Sequence, residues 1–191
     1  MRIAMIGSRE LTKKEQYFED VQPLFNICYD LACKGVVMTS GLCEEGLDGI
    51  AQKAYAKAVK QGLATRSQFE VYVAESKNIT RSNLPMKTVA RVRNPRLIKE
   101  TEELAGRVHP AWDKCDDWAR GMHSRNCHQI LGYELDKPVD AVITWTPRAK
   151  VQGGTATAIN IAKMYNVPIF NFGKDFEEVK RNFYEWYEGV I

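Results

Sequence analysis

Asp140-Ala141-Val142-Ile143-Thr144-Trp145, followed by Gln152-Gly153-Gly154-Thr155-Ala156-Thr157-Ala158, decides the fold class. The first segment is an apolar run of strand length. The second opens an apolar-periodic stretch that reads as a helix over Ala156–Tyr165. Two glycines and two threonines at the junction leave backbone N–H groups bare where a helix start has no internal partner for them. Such a terminus favours an anion, and phosphate is the common biological one.

Outward from this unit, apolar runs alternate with helical periodicity along the chain, the α/β signature. Strands are expected at Arg2–Ile6, Val36–Thr39, Phe69–Ala74, Val139–Trp145 and Pro168–Phe172. Helices are expected at Lys14–Lys34, Gly46–Gln61, Asp113–Leu135, Ala156–Tyr165 and Phe176–Tyr187. Short, wholly apolar strands suit a parallel sheet covered on both faces. The expected architecture is a Rossmann-like, doubly wound, mostly parallel sheet of five or more strands with helices on both faces. In such sheets ligands bind beyond the carboxyl ends of the strands, where strand order reverses.

The chain has 191 residues, 45% of them hydrophobic, enough for one core and therefore one domain. A net charge of +3 does not by itself demand a nucleic-acid partner. Met1–Gly7 is too short an apolar run for a signal peptide, and no run approaches the length of a membrane span. A cytoplasmic protein with no membrane partner is expected. The five cysteines contain no CxxC pair. The spacings of Cys115, His123, Cys127 and His128 match no familiar zinc pattern, so reduced structural thiols are expected, with neither metal nor cofactor.

Residues from about 75 to 112 break the alternation. Between Lys77 and Lys99 stand seven cations (Lys77, Arg81, Lys87, Arg91, Arg93, Arg96 and Lys99) and no acidic residue. Pro85 and Pro95 interrupt any long helix there. The stretch reads as a basic insertion or lid after the third strand: either a solvated loop, or a flap whose Arg91, Arg93 and Arg96 contact nucleic-acid phosphates.

Three further segments carry chemistry. Gly7-Ser8-Arg9 follows the first strand and offers close backbone approach, a hydroxyl and a cation. Ser40-Gly41 follows the second and leads through Glu44, Glu45 and Gly46 into a helix whose first turn holds Asp48. Asp48 suits either the helix dipole or a polar ligand group such as a ribose hydroxyl. Arg125-Asn126 supplies a bidentate fork and an amide, suited to phosphate and to a base or sugar.

In this order, Gly7-Ser8-Arg9, Ser40-Gly41 with Asp48-Gly49-Ile50-Ala51, Arg125-Asn126 and Gly153-Gly154-Thr155 resemble the SLOG superfamily of Rossmann-like nucleotide-binding domains. The loop Ser40–Ala51 is most similar to the Smf/DprA DNA-processing family, in which the equivalent loop and Arg-Asn pair contact single-stranded DNA. Met122-His123-Ser124-Arg125 with Asp140-Ala141 and Gly153-Gly154 resembles the LOG phosphoribohydrolases, and molybdenum-cofactor carriers are weaker relatives. The resemblance implies that a nucleotide, a nucleotide-derived signal or single-stranded DNA meets Gly7, Ser8, Arg9, Ser40, Gly41, Arg125, Asn126, Gly153, Gly154, Thr155 and Thr157, in a homo-oligomer.

LOG enzymes pair their arginine with a glutamate just inside the helix after the glycines. Here Ala158-Ile159-Asn160 offers no carboxylate. A binding protein is therefore the leading expectation. A nucleotide N-glycosidase or phosphoribohydrolase is the alternative, with Glu45 or Asp48 as acid or base and Arg125 on phosphate. A scaffold with a vestigial pocket is the third. Its C-terminal Phe183-Tyr184-Glu185-Trp186-Tyr187 would mediate assembly, although that cluster also reads as the core face of the last helix.

Overall fold

The computed structural model describes residues 1–74, 87–89 and 94–191, with the side chains of 87–89 left aside. Among the described residues, six strands form one parallel sheet: β1 (Arg2–Gly7), β2 (Val37–Gly41), β3 (Phe69–Tyr72), β4 (Lys87–Val89), β5 (Ala141–Trp145) and β6 (Ile169–Asn171). Their spatial order is β4-β3-β2-β1-β5-β6, so the winding reverses between β1 and β5. This is a doubly wound, Rossmann-like α/β fold, as the sequence pattern predicts. The helices are α1 (Glu10–Lys13), α2 (Val21–Cys33), α3 (Gly46–Lys60), α4 (Pro95–Val108), α5 (Asp117–Leu131), α6 (Gly153–Met164) and α7 (Phe176–Val190). None of them is long and apolar enough to cross a membrane.

The pleat sorts the core into two layers. Ile3 and Met5 of β1 join Ile143 and Trp145 of β5 on the face covered by α2, α3 and α7. Ala4, Ile6 and Val142 point to the other face, under Ala105, Cys127, Ile130, Leu131, Ala158 and Ile161 of α4, α5 and α6. With both faces covered, every residue of β5 is buried, which is why the strand reads as a continuous apolar run. In the C-terminal aromatic cluster, Phe183 and Tyr187 are buried in the first layer, the core-face option of the sequence reading.

Differences from the sequence expectation have local causes. The helix expected from Lys14 begins in earnest only at Val21, after a 3-10 stretch at Glu15–Asp20. Pro23 has no N–H and crowds the carbonyl four residues back, so it fits the first turn of α2 but not a helix interior. The helix expected from Asp113 begins at Asp117, where the Asp116 carboxylate accepts the Ala119 N–H at 2.8 Å, and it ends at Leu131, capped by Gly132 with φ +79°.

Part of the stretch read as an insertion belongs to the layers. Lys87–Val89 extends the sheet beside β3, and α4 packs against α5 and α6. Pro95 opens α4, with Asn94 accepting the Arg96 N–H at 3.0 Å. Arg91 and Arg93 lie outside the described residues. Arg96 forms exposed ion pairs with Glu100 (3.0 Å) and Glu134 (3.1 Å).

Candidate functional site

At the carboxyl ends of β1 and β2, Asp48 is a structural knot. It lies in the first turn of α3 and is only 6% exposed. Its Oδ1 accepts the Ser40 hydroxyl at 2.9 Å and the Gly41 N–H at 3.0 Å, and its Oδ2 accepts the Gly7 N–H at 3.2 Å. One carboxylate thus ties two adjacent strand ends to a helix N-terminus. Gly46, with φ +68°, makes the entry into α3 possible, because a side chain there would also press on the Ser8 carbonyl. Burial pushes the Asp48 carboxyl above its ordinary range, against the pull of Arg125 and the three donors.

Arg125 reaches the same point from the opposite face of the sheet. Its guanidinium occupies the space a Cβ on Gly41 would fill: an ideal Cβ would lie 1.3 Å from Nη1 and 2.5 Å from Cζ. Glycine at 41 is therefore the seat of the arginine. The Arg125 Nε is buried with no hydrogen-bond partner, and among the described residues none of its side-chain nitrogens has an ion pair or hydrogen bond. Burial lowers the guanidinium pKa, while Asp48 and Cys43 act in the opposite sense. Removing a charge from water without full pairing costs several kcal/mol, roughly what burying two leucines such as Leu24 and Leu31 returns. A fold tolerates that expense where something else must fit.

Beside Arg125 opens a cavity of about 460 Å³ between the end of β3 and helices α4 and α5. Arg120, Ser124 and Arg125 line it from one face of α5, at i, i+4 and i+5. Arg120 Nε and Ser124 Oγ share the condition of Arg125 Nε: buried, with no hydrogen-bond partner among the described residues. Tyr72 and His128 line the cavity as well, their rings stacked 5.8 Å apart with 16° between planes. Burial lowers the His128 pKa, against hydrogen bonds to the Gly132 and Tyr133 backbone, and so favours the neutral ring. Glu102 of α4 and Asp117 of α5 line it too.

The remaining predicted residues divide between this centre and its surroundings. Ser8 donates its N–H to the Trp145 carbonyl at 2.9 Å across the β1–β5 switch point, and its hydroxyl accepts the Glu10 N–H at 3.3 Å. Arg9 is exposed, and with Arg125 it lowers the pKa of Cys43 against the larger upward push of burial, so both cations act on one thiol. Asn126 donates to the Gly154 carbonyl at 3.0 Å and anchors the start of α6. Gly153 and Gly154 are exposed, with open space where side chains would stand, and no side chain caps the helix. Thr155 is half-buried beside them. Thr157 is buried, its hydroxyl 2.8 Å from His123 Nδ1. Glu45 is engaged with Lys13 at 3.0 Å.

Of the residues that the sequence reading proposes for ligand binding, Arg125 lines this cavity, with Gly41 beneath its guanidinium and Ser40 bound to Asp48; Arg120, Ser124, Tyr72, His128, Glu102 and Asp117 line it too and are not among those proposed. Only the i, i+4, i+5 spacing of Arg120, Ser124 and Arg125 is visible in the sequence. The contributions from β3 and α4 depend on packing. Comparison with protein-family models, with curated proteins and with solved structures finds no match.

Proposed function

We propose that this protein binds a nucleotide or nucleotide-derived anion at the carboxyl edge of its sheet, with Arg125 holding the phosphate. The single observation that carries this reading is the guanidinium seated on Gly41 at the edge of a cavity, without a side-chain partner among the described residues. A phosphate accepts the bidentate fork of an arginine and gives the buried charge the partner it lacks. Arg120 and Ser124 supply two more unpaired donors, enough for an anion with several acceptor oxygens. The Tyr72–His128 stack offers a flat apolar surface for a base. The volume lies within the ordinary range of small-molecule sites.

Single-stranded DNA presents the same phosphate and base, and Arg9 on the exposed side of the strand ends would extend its path. A phosphoribohydrolase is the second reading, favoured by one observation: two acidic residues, Glu102 and Asp117, line the same cavity as Arg125. On this reading the acid–base burden would fall on α4 and α5 rather than on Asp48, whose oxygens already serve three donors.

The test is to incubate the purified protein and its R125A variant with nucleoside 5′-monophosphates and a short oligothymidylate. Retention and product release are then followed by mass spectrometry. Retention by the wild type and its loss in R125A supports binding. Release of free base and sugar phosphate, abolished in E102Q or D117N, assigns the hydrolase. Equal retention by wild type and R125A overturns the phosphate role of Arg125.

A further inference from the structure

Away from the cavity residues already assigned, a second cluster stands where α4 passes into α5. His109 closes α4, Cys115 follows a 3-10 turn at Trp112–Lys114, and His123 projects from the middle of α5. One potential ligand atom from each lies within 4.8 Å of the others. The Cys115 Sγ is 3.8 Å from His109 Nδ1, and the two imidazole rings are 4.3 Å apart between centroids.

We infer that His109, Cys115 and His123 form a binding site for one divalent transition-metal ion of the zinc class. The donor set is two imidazoles and a thiol, the ligands that borderline-soft ions prefer over water and carboxylate. Around a tetrahedral zinc ion, such ligand atoms lie about 3.3–3.6 Å apart. The observed spacings, 3.8 Å from Cys115 Sγ to His109 Nδ1 and at most 4.8 Å overall, exceed this by no more than about 1.5 Å, a contraction for side-chain rotation to supply.

The surroundings fit the same reading. His123 Nδ1 is engaged by the Thr157 hydroxyl at 2.8 Å, which fixes the ring and leaves Nε2 without a partner among the described residues. An outer hydrogen bond on the second nitrogen is the usual way a protein orients a ligating histidine. His109 Nδ1 accepts the Ala111 N–H at 3.2 Å, a long bond that coordination would replace. Trp112 leans its edge on both imidazoles and shields one side. His109 and Cys115 are half-buried, so the ion has an entry path, and a fourth position falls to water or an external ligand.

Binding balances simply. The Cys115 thiol gives its proton to solvent, the thiolate and two neutral imidazoles coordinate, and no electron changes hands. The ion would clamp the α4–α5 connection to α5 and α6. It would thereby stiffen the half of α5 that carries Arg120, which lies over the Trp112 ring at 5.5 Å. The site stands on its own residues and does not depend on the nucleotide reading.

The experiment is a titration of the reduced, metal-stripped full chain with Co²⁺, followed by displacement with Zn²⁺. A thiolate-to-cobalt charge-transfer band at one equivalent is expected, with visible bands of tetrahedral intensity, and Zn²⁺ should bleach both and raise Tm. C115S should lose the charge-transfer band, and H109A should weaken cobalt binding at least tenfold. The double variant C33S/C43S, which removes the other cysteines outside the core, should keep the band. Far-UV circular dichroism of each apo variant verifies that it folds. Absence of the band in the wild type, its persistence in C115S or its loss in C33S/C43S would overturn the site.

Discussion

Substituting Gly41→Ala isolates the arrangement on which the phosphate reading rests. The new Cβ would fall 1.3 Å from Arg125 Nη1, against about 3.4 Å for an ordinary contact, so the guanidinium must retreat by about 2 Å. The displaced atoms are the free end of a long side chain, and the three nearest atoms to that Cβ all belong to Arg125. Backbone pairing of Gly41 with Tyr72 can therefore persist, and stability should change by no more than about 1 kcal/mol, or roughly 2–4 °C in Tm. Binding should suffer far more. Two charge-assisted hydrogen bonds to a phosphate are worth about 1.5–3 kcal/mol each, so their loss weakens affinity by roughly 100-fold or more. Isothermal titration with the nucleotide retained by the wild type measures the affinity, and thermal denaturation without ligand measures the stability. Wild-type affinity in G41A, combined with lost affinity in R125A, would refute the claim that the seat on Gly41 sets the working position of the guanidinium. A collapse of Tm would refute the claim that only the arginine occupies that space.

Four further outcomes follow from the same geometry. R125M keeps the aliphatic stem and removes the unpartnered charge, so the ligand-free protein should be as stable as wild type or about 1 kcal/mol more stable while binding is lost; a fall of several kcal/mol in denaturant titration would mean the charge is paired after all. Asp48 has a folded-state pKa raised above the ordinary 3.8, so its contribution is greatest below the unfolded pKa and is lost as pH rises through the folded one. Wild type should accordingly lose stability relative to D48N from about pH 4 upward, read as the difference in Tm across a pH series, and a gap that widens in favour of wild type would reverse the assigned shift. E45Q should cost under about 1 kcal/mol and leave nucleotide retention intact, because the pair with Lys13 is largely exposed; abolished turnover in this variant would return Glu45 to the chemistry. Arg96→Ala should likewise change stability by less than about 1 kcal/mol, and if its ion pairs with Glu100 and Glu134 are its whole role, the salt dependence of oligonucleotide binding should not move.

The layered architecture was legible because it is written in local patterns. Asp140–Trp145 announces a strand buried on both faces, and Gly153–Thr157 announces a helix start with a bare backbone, before any tertiary contact is known. Helix ends were less legible. Pro23 and Asp116 mark the true starts of α2 and α5, yet the apolar periodicity upstream of each argues for a longer helix. The brief strand β4 and helix α4 were hidden by a run of cations that reads as solvent-facing. Lys99 is in fact exposed, while Leu97, Thr101 and Ala105 of the same helix are buried on its inner face.

By itself, the sequence determined which elements exist and which residue types reach the strand ends: Gly7, Ser40, Gly41, Asp48 and the Arg125-Asn126 pair. It could not determine which of these face a ligand and which face each other, because a carboxylate written in a loop has the same chemistry either way. The tertiary structure turned Asp48 inward onto three donors and left the Arg125 guanidinium with no acceptor among the described residues. It brought Tyr72 and Glu102 to Arg125 across two helices and a strand, and His109 to Cys115 and His123 across a turn. Those pairings arise from the stacking of α4 and α5 on the sheet, a long-range outcome of burying two apolar faces at once, and no local spacing encodes them.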